Sequence, residues 1–513
     1  MLNHFPYPSA RENQATAIQH VEDKLVNSDT KVCILELPTG IGKSAIAYTI
    51  AKYYESKEQR CRVITKTKNL QKQYIEEFPT MATVSGKGNY KDDEEYLKVM
   101  SSFNDSSIGV TNYSNLENCM WQGDDVLIID ESHEYLEHIH DQMHYKFKSG
   151  TTDKSLCRII ELCKNFSSLR VRSIVKNFNF AYRTMVEYAL NESSPVKYDF
   201  ALANFAKLVK LLNSINPEIK VMIHSSEFGI EIFVNGVKEY FEDIVSGYDK
   251  VILMSANFGG LEFFKDVMGL YAHKEIGNCP EPEMDWIYTG EGCYQLGTEC
   301  TEHSIHQSPF AAEQRPIRYI RNYTLGHHDK EARLKIIVEE NIDPIIEYEL
   351  EHGAPRGVIH SVSYETAHMI VGMSKYASIM RVVKTALQLE SALADETVKV
   401  ILSPALEAGV SLDGDKATFQ IVAKAPIEPN MGINKFLVRA HGQKYMTRKS
   451  VMRVVQMSGR IIRTDECRGT TYIVDKNYGR VAGCTSWQFY PDYFWDNFKT
   501  SHNFQDSVAN KFL

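Results

Sequence analysis

The sequence has no apolar run long enough to cross a membrane and no CxxC pair of cysteines. Its ten cysteines are scattered over 513 residues, a pattern that fits a reducing compartment better than a disulfide framework. The first residues, MLNHFPYPSARENQ, lack the basic and hydrophobic regions of a signal peptide. We therefore expect a globular protein of the cytoplasm, where it would be associated with the nucleoid, or of the nucleus, and neither secretion nor membrane insertion.

The composition shows no shortage of core-forming side chains and no strong excess of one charge. Hydrophobic residues make up 43% of the chain and aromatic residues 11%, which is ample for sizeable cores in about three domains. The formal net charge of −9 argues against a surface coated with nucleic acid. A local basic groove is still compatible with it, because only the lining of the path must be positive.

The stretch PTGIGKSAIA has the residues of a phosphate-binding loop. The apolar run VCIL before it predicts a buried strand, and the small and apolar residues from Ser44 onward predict a helix whose amino end points into the loop. Gly40 and Gly42 allow the backbone to approach an anion. Lys43 can reach the β- and γ-phosphates, and the Ser44 hydroxyl can ligate Mg²⁺. Leu37 stands where the strict consensus has glycine, so a glycine turn between a strand and a helix is the alternative.

The stretch DDVLIIDESHEYLEHI predicts a second part of such a site. Residues 126–129 read as a buried strand, and Asp130 and Glu131 follow it at the end where α/β sheets bind ligands. There Asp130 can hold Mg²⁺ and Glu131 can polarise an attacking water. An acidic pair after a strand can instead cap a helix, but its combination with Lys43 favours the nucleotide site.

The stretch VVQMSGRIIRTDECRGTTYIVD predicts a helix followed by a turn and a strand. The helical part holds Gln456, Gly459, Arg460 and Arg463. Because Arg460 and Arg463 are three residues apart, they share a helix face, and both can reach a γ-phosphate across a cleft. The alternative is a solvated basic face. Such a face would not require Gly459, because glycine within a helix lowers stability and indicates a close backbone approach.

Taken in order, these three stretches resemble motifs I, II and VI of the superfamily-two helicases, and the sequence between them is similar to the XPD/DinG branch. Motif I of that branch lacks the first glycine, which accounts for Leu37. Further counterparts are FPYPSARENQ at the amino end, VITKTKNLQKQYIEEF for motif Ia, YDKVILMSANF for motif III with Asn257 in place of threonine, RGVIHSVSYETAHMI for motif IV and SPALEAGVSLDG for motif V. The resemblance covers nearly the whole chain.

The resemblance implies an α/β fold with two RecA-like motor lobes and a mainly helical, arch-like insertion in the first lobe. The implied boundaries are residues 1–135 for the first lobe, 136–245 for the insertion, 246–280 for the return to the first lobe and 281–513 for the second lobe. The apolar spacing of LCRIIELCKNF, VKNFNFAYRTMVEYAL and FALANFAKLVKLLNSI predicts helices in the insertion, and VMIHSSEFGIEIFVNG predicts a strand pair.

The resemblance also implies ATP and Mg²⁺ as cofactors and assigns site residues. The nucleotide-binding set is Arg11, Gln14, Thr39, Gly40, Gly42, Lys43 and Ser44, with Arg11 and Gln14 near the base. The catalytic set is Lys43, Asp130, Glu131, Gln456, Arg460 and Arg463, and the Mg²⁺ ligands are Ser44 and Asp130. The nucleic-acid contacts are Thr65, Lys66, Thr67 and Ser403.

Motif V departs from the branch, where it usually reads E-G-x-D. Ala408 and Ser411 stand at those positions, with Glu407 and Asp413 close by. Neither acid is assigned the missing role.

The branch commonly holds an iron–sulfur cluster on four cysteines between motifs I and II. Only Cys61 and Cys119 lie there, so four thiolate ligands are lacking. We expect no cluster, and we expect a short polar loop at residues 91–108 in place of the cluster domain. A zinc site is a separate hypothesis, for which the candidate ligands are Cys279, Cys293, Cys300, His303 and His306. The irregular spacing favours free buried cysteines instead.

The expected function is that of an ATP-dependent DNA helicase that moves 5′ to 3′ in replication, recombination or repair. Its partners would be single-stranded and forked DNA and replication or repair proteins, and we expect a monomer. One alternative is a translocase that remodels branched DNA or strips proteins without processive unwinding. Another is a nucleotide-gated DNA-binding module, and an RNA substrate also stays open because contacts with the backbone seldom read the sugar strongly.

Overall fold

A computed structural model describes most of the chain. The described residues are 1–27, 31–118, 125–148, 169–191, 198–226, 229–270, 286–288, 293–295, 308–325, 330–404, 412, 414–462, 466–483 and 486–510. The strands are β1 (Val32–Glu36), β2 (Cys61–Thr65), β3 (Ala82–Thr83), β4 (Ile108–Asn112), β5 (Val126–Asp130), β6 (His144–Lys148), β7 (Leu169–Arg170), β8 (Lys220–Ser226), β9 (Gly229–Val234), β10 (Lys250–Ser255), β11 (Trp286–Tyr288), β12 (Cys293–Gln295), β13 (Ile317–Ile320), β14 (Gly357–His360), β15 (Met380–Val382), β16 (Val400–Ser403), β17 (Phe419–Val422), β18 (Thr470–Ile473) and β19 (Phe498–Ser501).

Helices connect and cover these strands. They are α1 (Glu12–Val21), α2 (Lys43–Glu55), α3 (Lys68–Glu77), α4 (Asp93–Asp105), α5 (Tyr113–Asn118), α6 (Ser132–Gln142), α7 (Val171–Asn191), α8 (Tyr198–Ser214), α9 (Val237–Ser246), α10 (Leu261–Met268), α11 (Lys330–Ile337), α12 (Asp343–Glu351), α13 (Tyr364–Met373), α14 (Ala386–Ala394), α15 (Ile433–His441), α16 (Gln443–Ser458), α17 (Tyr478–Val481) and α18 (Phe504–Val508). None of the helices in the described part of the chain is long and apolar enough to cross a membrane.

The first lobe is built on a parallel sheet. Over the described ranges its strands lie in the order β1-β10-β5-β2-β4-β3. The register pairs Val32 with Val251 and Lys250 with Val126, so β10, which follows the insertion, lies between β1 and β5. These strands are apolar and buried on both faces, as expected of a parallel sheet covered by helices. The carboxyl ends of β1 and β5 therefore lie at the same edge of the sheet, separated by β10, and ligands bind at this edge in such sheets.

The second lobe is built on another parallel sheet, which in the described part of the chain has the order β15-β16-β14-β17-β18-β13-β19. One face packs on α11, α12 and α13, through residues such as Ile337, Ile345 and Ile370. The other face packs on α16 through Val451 and Val455. Two helix-covered parallel sheets confirm the predicted α/β fold with two RecA-like lobes.

The insertion contains helices and a sheet. α7 and α8 include the second and third predicted helical stretches, whereas LCRIIELCKNF lies outside the described residues. β8 and β9 form the predicted antiparallel pair, and they belong to a larger antiparallel sheet of the order β6-β9-β8-β7, of which β6 and β7 were not predicted. Phe178 of α7 stacks on Phe205 of α8 at 5.7 Å, and Phe205 in turn contacts Phe147 of β6 at 5.8 Å, so the two helices pack on each other and on this sheet.

The prediction of a loop at residues 91–108 was wrong, because most of this segment is α4. The Asp92 side chain caps the helix by accepting a hydrogen bond from the Glu95 backbone N–H at 2.9 Å, and acidic residues fill the first turn, where the helix dipole favours them. Phe103 anchors the other end, because its ring is buried against Gly109 of β4 and lies 5.0 Å from the Arg62 guanidinium. Tertiary contact therefore turns a polar connection into a packed helix.

Candidate active site

The loop between β1 and α2 has the conformation of a phosphate cradle. Gly40 and Gly42 have φ values of 83° and 88°, which side chains with a Cβ rarely adopt. Gly42 is the N-cap of α2, so the free N–H groups of the helix begin at the loop. The Gln14 amide supports the loop from the other side, because its Nε2 donates to the Ile41 carbonyl at 2.7 Å. A phosphate group fits this backbone arrangement.

Arg11 and Gln14 lie beside the loop. Arg11 donates from Nη1 to the Gly40 carbonyl at 3.2 Å, and its backbone N–H donates to Gln14 Oε1 at 2.9 Å. A Cβ atom on Gly42 would lie 2.6 Å from Gln14 Nε2. Gln14 is therefore in contact with the cradle itself. Its proposed contact with a nucleotide base stays a prediction.

Lys43 and the acidic pair meet at the edge of the first sheet. Lys43 Nζ lies 2.9 Å from Glu131 Oε1. Asp130, the last residue of β5, is 3% exposed and accepts hydrogen bonds from the Glu131 N–H at 2.9 Å and the Tyr74 hydroxyl at 3.1 Å. Glu131 has a φ of 54° and is the N-cap of α6, a left-handed conformation that is uncommon outside glycine and often occurs at functional sites.

The two carboxyl groups differ electrostatically. Burial, together with the adjacent Glu131 charge, raises the pKa of Asp130. Burial acts in the same direction on Glu131, but the positive charge of Lys43 outweighs it, with help from Arg460, and lowers the pKa of Glu131. A divalent cation beside Asp130 would offset the unfavourable burial of its charge. The donor set of Asp130 and the half-buried Ser44 hydroxyl therefore fits Mg²⁺, which takes oxygen ligands and keeps several waters.

His133 links the acidic pair to the end of β10. Its Nδ1 lies 2.7 Å from Ser255 Oγ, and the Ser255 hydroxyl donates to the Asn257 carbonyl at 2.8 Å. The Ser255 hydroxyl proton is used in the bond to Asn257. The proton in the bond between His133 and Ser255 must therefore be on Nδ1 of His133. Burial lowers the pKa of His133, which agrees with a neutral ring. The Asn257 amide then donates to the Phe489 carbonyl of the second lobe at 3.1 Å.

α16 of the second lobe reaches the site, although the predicted helix is shorter than expected. Gln456 Nε2 lies 2.5 Å from His133 Nε2. The helix ends at Ser458, and Gly459 is its C-cap, so Arg460 lies beyond the helix. The predicted close approach at Gly459 is present, since a Cβ atom there would lie 2.7 Å from Thr39 Oγ1 in the cradle loop. Arg460 is 8% exposed, and its charge contributes to the low pKa of Glu131.

Several predicted residues lie outside the described residues, and the statements about them stay predictions. They are Arg463, the motif V residues Glu407, Ala408, Ser411 and Asp413, and Cys119, Cys279, Cys300, His303 and His306. Cys293 lies in β12.

The residues proposed to contact nucleic acid lie in both lobes and differ in exposure, and their role stays a prediction. Thr65 is fully buried, and its hydroxyl donates to the Thr67 carbonyl at 3.2 Å. Thr67 caps α3 by accepting from the Leu70 N–H at 3.2 Å. Lys66 is partly exposed and pairs with Glu134 of α6 at 2.7 Å. Ser403 ends β16 in the other lobe and is 2% exposed. Lys66 is therefore the member of this set most accessible to a strand.

A groove on the first lobe adds residues that the sequence reading missed. It encloses about 370 Å³ and is lined by Lys66, Lys68, Gly86, Lys87, Gly88, Asn89, Asn112, Ser114 and Asn115. Lys68 donates to Asn89 Oδ1 at 2.5 Å, and Lys87 pairs with Asp93 at 2.7 Å. Lysines, amides and exposed glycine backbone are suited to phosphate groups. The sequence GKGN was a usable signal, but only the fold brings it to Lys66 and Asn112.

Comparisons with known proteins agree with this architecture. Residues 8–171 match the family described as Type III restriction enzyme, res subunit. An XPD helicase structure matches with a TM-score of 0.58 at 13% identity, covering 96% of this chain and 100% of that chain. An XPD structure described as apo and an Xpd protein of S. tokodaii match with TM-scores of 0.57 and 0.54, at the same identity and coverage. No curated protein matches significantly. At this identity the likeness establishes the fold, which is that of the XPD helicase structures.

Proposed function

We propose that the protein is an ATP-dependent DNA helicase that moves 5′ to 3′ along single-stranded DNA and unwinds or remodels duplexes in replication, recombination or repair. The observation that carries the proposal is the Lys43–Glu131 pair at 2.9 Å, which lies within the electrostatic influence of Arg460 from the other lobe. The XPD-like fold and the res-subunit match support an NTP-hydrolysing motor of the helicase type. The DNA substrate, the direction and the pathway depend on the sequence resemblance.

The arrangement of charges suggests how nucleotide binding prepares hydrolysis. Phosphates in the cradle offer Lys43 a second anion, so its ammonium group is drawn away from Glu131. The pKa of the Glu131 carboxylate then rises, which makes it a better acceptor for the proton of an attacking water. Mg²⁺ held by Ser44 and Asp130 would supply charge neutralisation at the phosphates. Arg460 adds positive charge from the second lobe, so turnover requires the lobes to be closed.

A chain of contacts also connects the ATP site to the interface between the lobes, and lobe motion would in turn act on a bound strand. His133 contacts Gln456 of the second lobe and Ser255 of the first, and Asn257 continues to the Phe489 carbonyl of the second lobe. A change at Glu131 therefore reaches two inter-lobe contacts by way of His133, one directly at Gln456 and one through Ser255 and Asn257 at Phe489. The basic groove at Lys66 and Lys68 lies on the same lobe, and relative motion of the lobes would move a strand held there.

A second candidate function is a translocase that does not unwind long duplexes. α4 occupies the segment where the XPD/DinG branch commonly has an iron–sulfur cluster domain, which often helps to split strands there. In this chain α4 is packed on the sheet through Phe103 rather than projecting as a separate domain. A motor without such a wedge can still move along one strand. A nucleotide-gated binding module is less well supported, because binding alone does not require Glu131 beside Lys43.

The test is ATP hydrolysis by wild-type protein and Lys43→Ala, titrated with single-stranded DNA and RNA. We expect DNA to stimulate wild-type turnover and Lys43→Ala to abolish it, because the phosphates lose their cation. Lys52→Ala is the matched control, since Lys52 lies on the same helix and pairs with Glu55. If nucleic acid does not change the rate of ATP hydrolysis, or if Lys43→Ala still hydrolyses ATP, the proposal of a nucleic-acid motor is contradicted.

Forked duplexes with a 5′ or a 3′ single-stranded tail then separate the candidates. Opening of only 5′-tailed forks supports the helicase with the proposed direction. DNA-stimulated hydrolysis without opening of either fork supports the translocase. Opening of 3′-tailed forks would overturn the direction.

A further inference from the structure

α6 of the first lobe and α16 of the second lobe run antiparallel and meet along a polar seam. His133, Glu137 and His140 share one face of α6, since they are spaced by four and three residues. Their partners on α16 are Gln456, Lys449 and Tyr445, in reverse order. The seam therefore begins at the acidic pair of the active site and continues along α6 for about two helical turns.

Tyr445 makes the central contact of this seam. Its hydroxyl donates to Glu137 Oε1 at 2.7 Å and lies 2.8 Å from His140 Nδ1. Because the hydroxyl has one proton, it must accept from the N–H at Nδ1 of His140. Tyr445 and His140 are both fully buried. Lys449 Nζ adds a contact to Glu137 Oε2 at 3.0 Å, so both carboxylate oxygens of Glu137 are held by α16.

The same helix is also fastened to the loop after β10. Arg448 donates from Nε and Nη2 to the Phe258 carbonyl at 3.0 and 2.8 Å. Gly259 has a φ of 66°, and a Cβ atom there would lie 2.6 Å from Met452 Sδ. α16 thus contacts two elements of the first lobe closely. Its position along its own axis decides where Gln456 and Arg460 lie.

We propose that Tyr445 is a positioning residue for ATP hydrolysis, which fixes α16 along α6 so that Gln456 meets His133 and Arg460 reaches the Glu131 region. Gln456 follows Tyr445 by about three helical turns, so both lie on the face towards α6. A slip of α16 by one turn would displace Arg460 by about 5.4 Å, too far to act on the same phosphate. This inference rests on the proposed function, because it assigns Tyr445 to that reaction.

The test compares Tyr445→Phe with Tyr478→Phe in DNA-free ATP hydrolysis. Tyr445→Phe keeps the ring that packs on His140 and His441 and removes only the hydroxyl. We expect kcat to fall at least tenfold with KM for ATP changed less than twofold, because the cradle is untouched. Tyr478 is the matched control, as a buried tyrosine whose hydroxyl accepts from Tyr490 at 3.0 Å in the second lobe. Its variant should keep kcat within twofold.

Combination with Gln456→Ala distinguishes positioning from a general structural role. If Tyr445 acts through the end of α16, the fold-reduction in kcat of the variant that combines Tyr445→Phe and Gln456→Ala should be much smaller than the product of the two single fold-reductions. Independent effects, an unchanged kcat in Tyr445→Phe, or an equal loss in Tyr478→Phe would overturn the proposal.

Failure of the proposed function is recognised separately. If the wild-type protein hydrolyses no ATP, hydrogen exchange of residues 443–462 is followed with a non-hydrolysable ATP analogue. Slower exchange in the wild type and Tyr478→Phe, but not in Tyr445→Phe, would support the positioning role of Tyr445 in lobe closure. Equal exchange in all three proteins would overturn it.

Discussion

Gln456 of the second lobe and His133 of the first lobe lie with their side-chain nitrogens 2.5 Å apart. The imidazole is oriented by Ser255, which accepts from Nδ1 at 2.7 Å. Nε2 is thereby left as the acceptor for the Gln456 amide. One neutral histidine thus connects α6, which begins directly after Glu131, to the strand end of β10 and to the second lobe.

Gln456→Ala is expected to lower kcat for ATP hydrolysis about tenfold, the rate equivalent of ~1.4 kcal/mol from one lost hydrogen bond. KM for ATP should change little, because Gln456 does not line the cradle. Steady-state kinetics with saturating single-stranded DNA measure both quantities. Gln443→Ala, an exposed glutamine on the same helix, is the control, and an equal loss in that variant would contradict the prediction.

Gly459→Ala is expected to hinder lobe closure. The added Cβ would lie 2.7 Å from Thr39 Oγ1, and overpacking of this kind costs ~1–3 kcal/mol, enough to lower the closed population and kcat by about tenfold or more. The melting temperature should change little, because the clash arises between lobes. Gly372→Ala, on an open helix surface with no atom near the added Cβ, should leave turnover unchanged. Normal turnover of Gly459→Ala would show that the lobes need not approach so closely.

Lys68→Ala is expected to weaken binding of single-stranded DNA several-fold and to lower the salt slope of log K by about one unit, if Lys68 neutralises one phosphate in the groove. Fluorescence anisotropy at several salt concentrations measures both. DNA-free hydrolysis should be unaffected, since the groove is separate from the cradle. Lys57→Ala, an exposed lysine outside the groove, should bind normally. An unchanged salt slope for Lys68→Ala would show that single-stranded DNA does not bind in the groove.

Glu36 predicts a pH dependence of stability. Burial raises the pKa of this carboxyl to about 8, although a hydrogen bond from the Phe258 backbone acts to lower it. Between its ordinary value of 4.5 and about 8, the folded protein keeps a proton that the unfolded chain has lost. Stability from this group is therefore full below pH 4.5, decreases as the pH rises through this window, and changes no further above it.

Glu36→Gln should remove that part of the pH dependence, because the amide does not titrate and still accepts from the Phe258 N–H. Melting temperatures from pH 5 to 9 test this. The difference between variant and wild type should grow with pH up to about 8. Parallel curves for the two proteins would contradict the prediction.

The local parts of the site could be predicted because their chemistry is contained in short stretches of chain. A strand, a glycine loop and a helix fix Gly42 and Lys43 in one order, and an acidic pair after a buried strand needs only the strand end to place Asp130 and Glu131. α4 could also be predicted from the sequence, because Asp92 followed three residues later by Glu95 is a pattern typical of a helix start. The polar composition of residues 91–108 favours a loop and hides this pattern.

Contacts between distant segments could not be predicted, because no spacing rule relates them. Thr39 of the cradle loop approaches Gly459 at the end of α16, and the groove combines Lys66, Lys87 and Asn112 from three separate segments.

The sequence by itself determined the α/β class, the cradle and the acidic pair, since each depends on local backbone geometry and on residue chemistry within a few positions. Only the tertiary structure decided which side chains meet across the lobes. The Tyr445 hydroxyl finds Glu137 and His140, some three hundred positions away in the chain, because two packed helices leave buried polar groups that must satisfy one another.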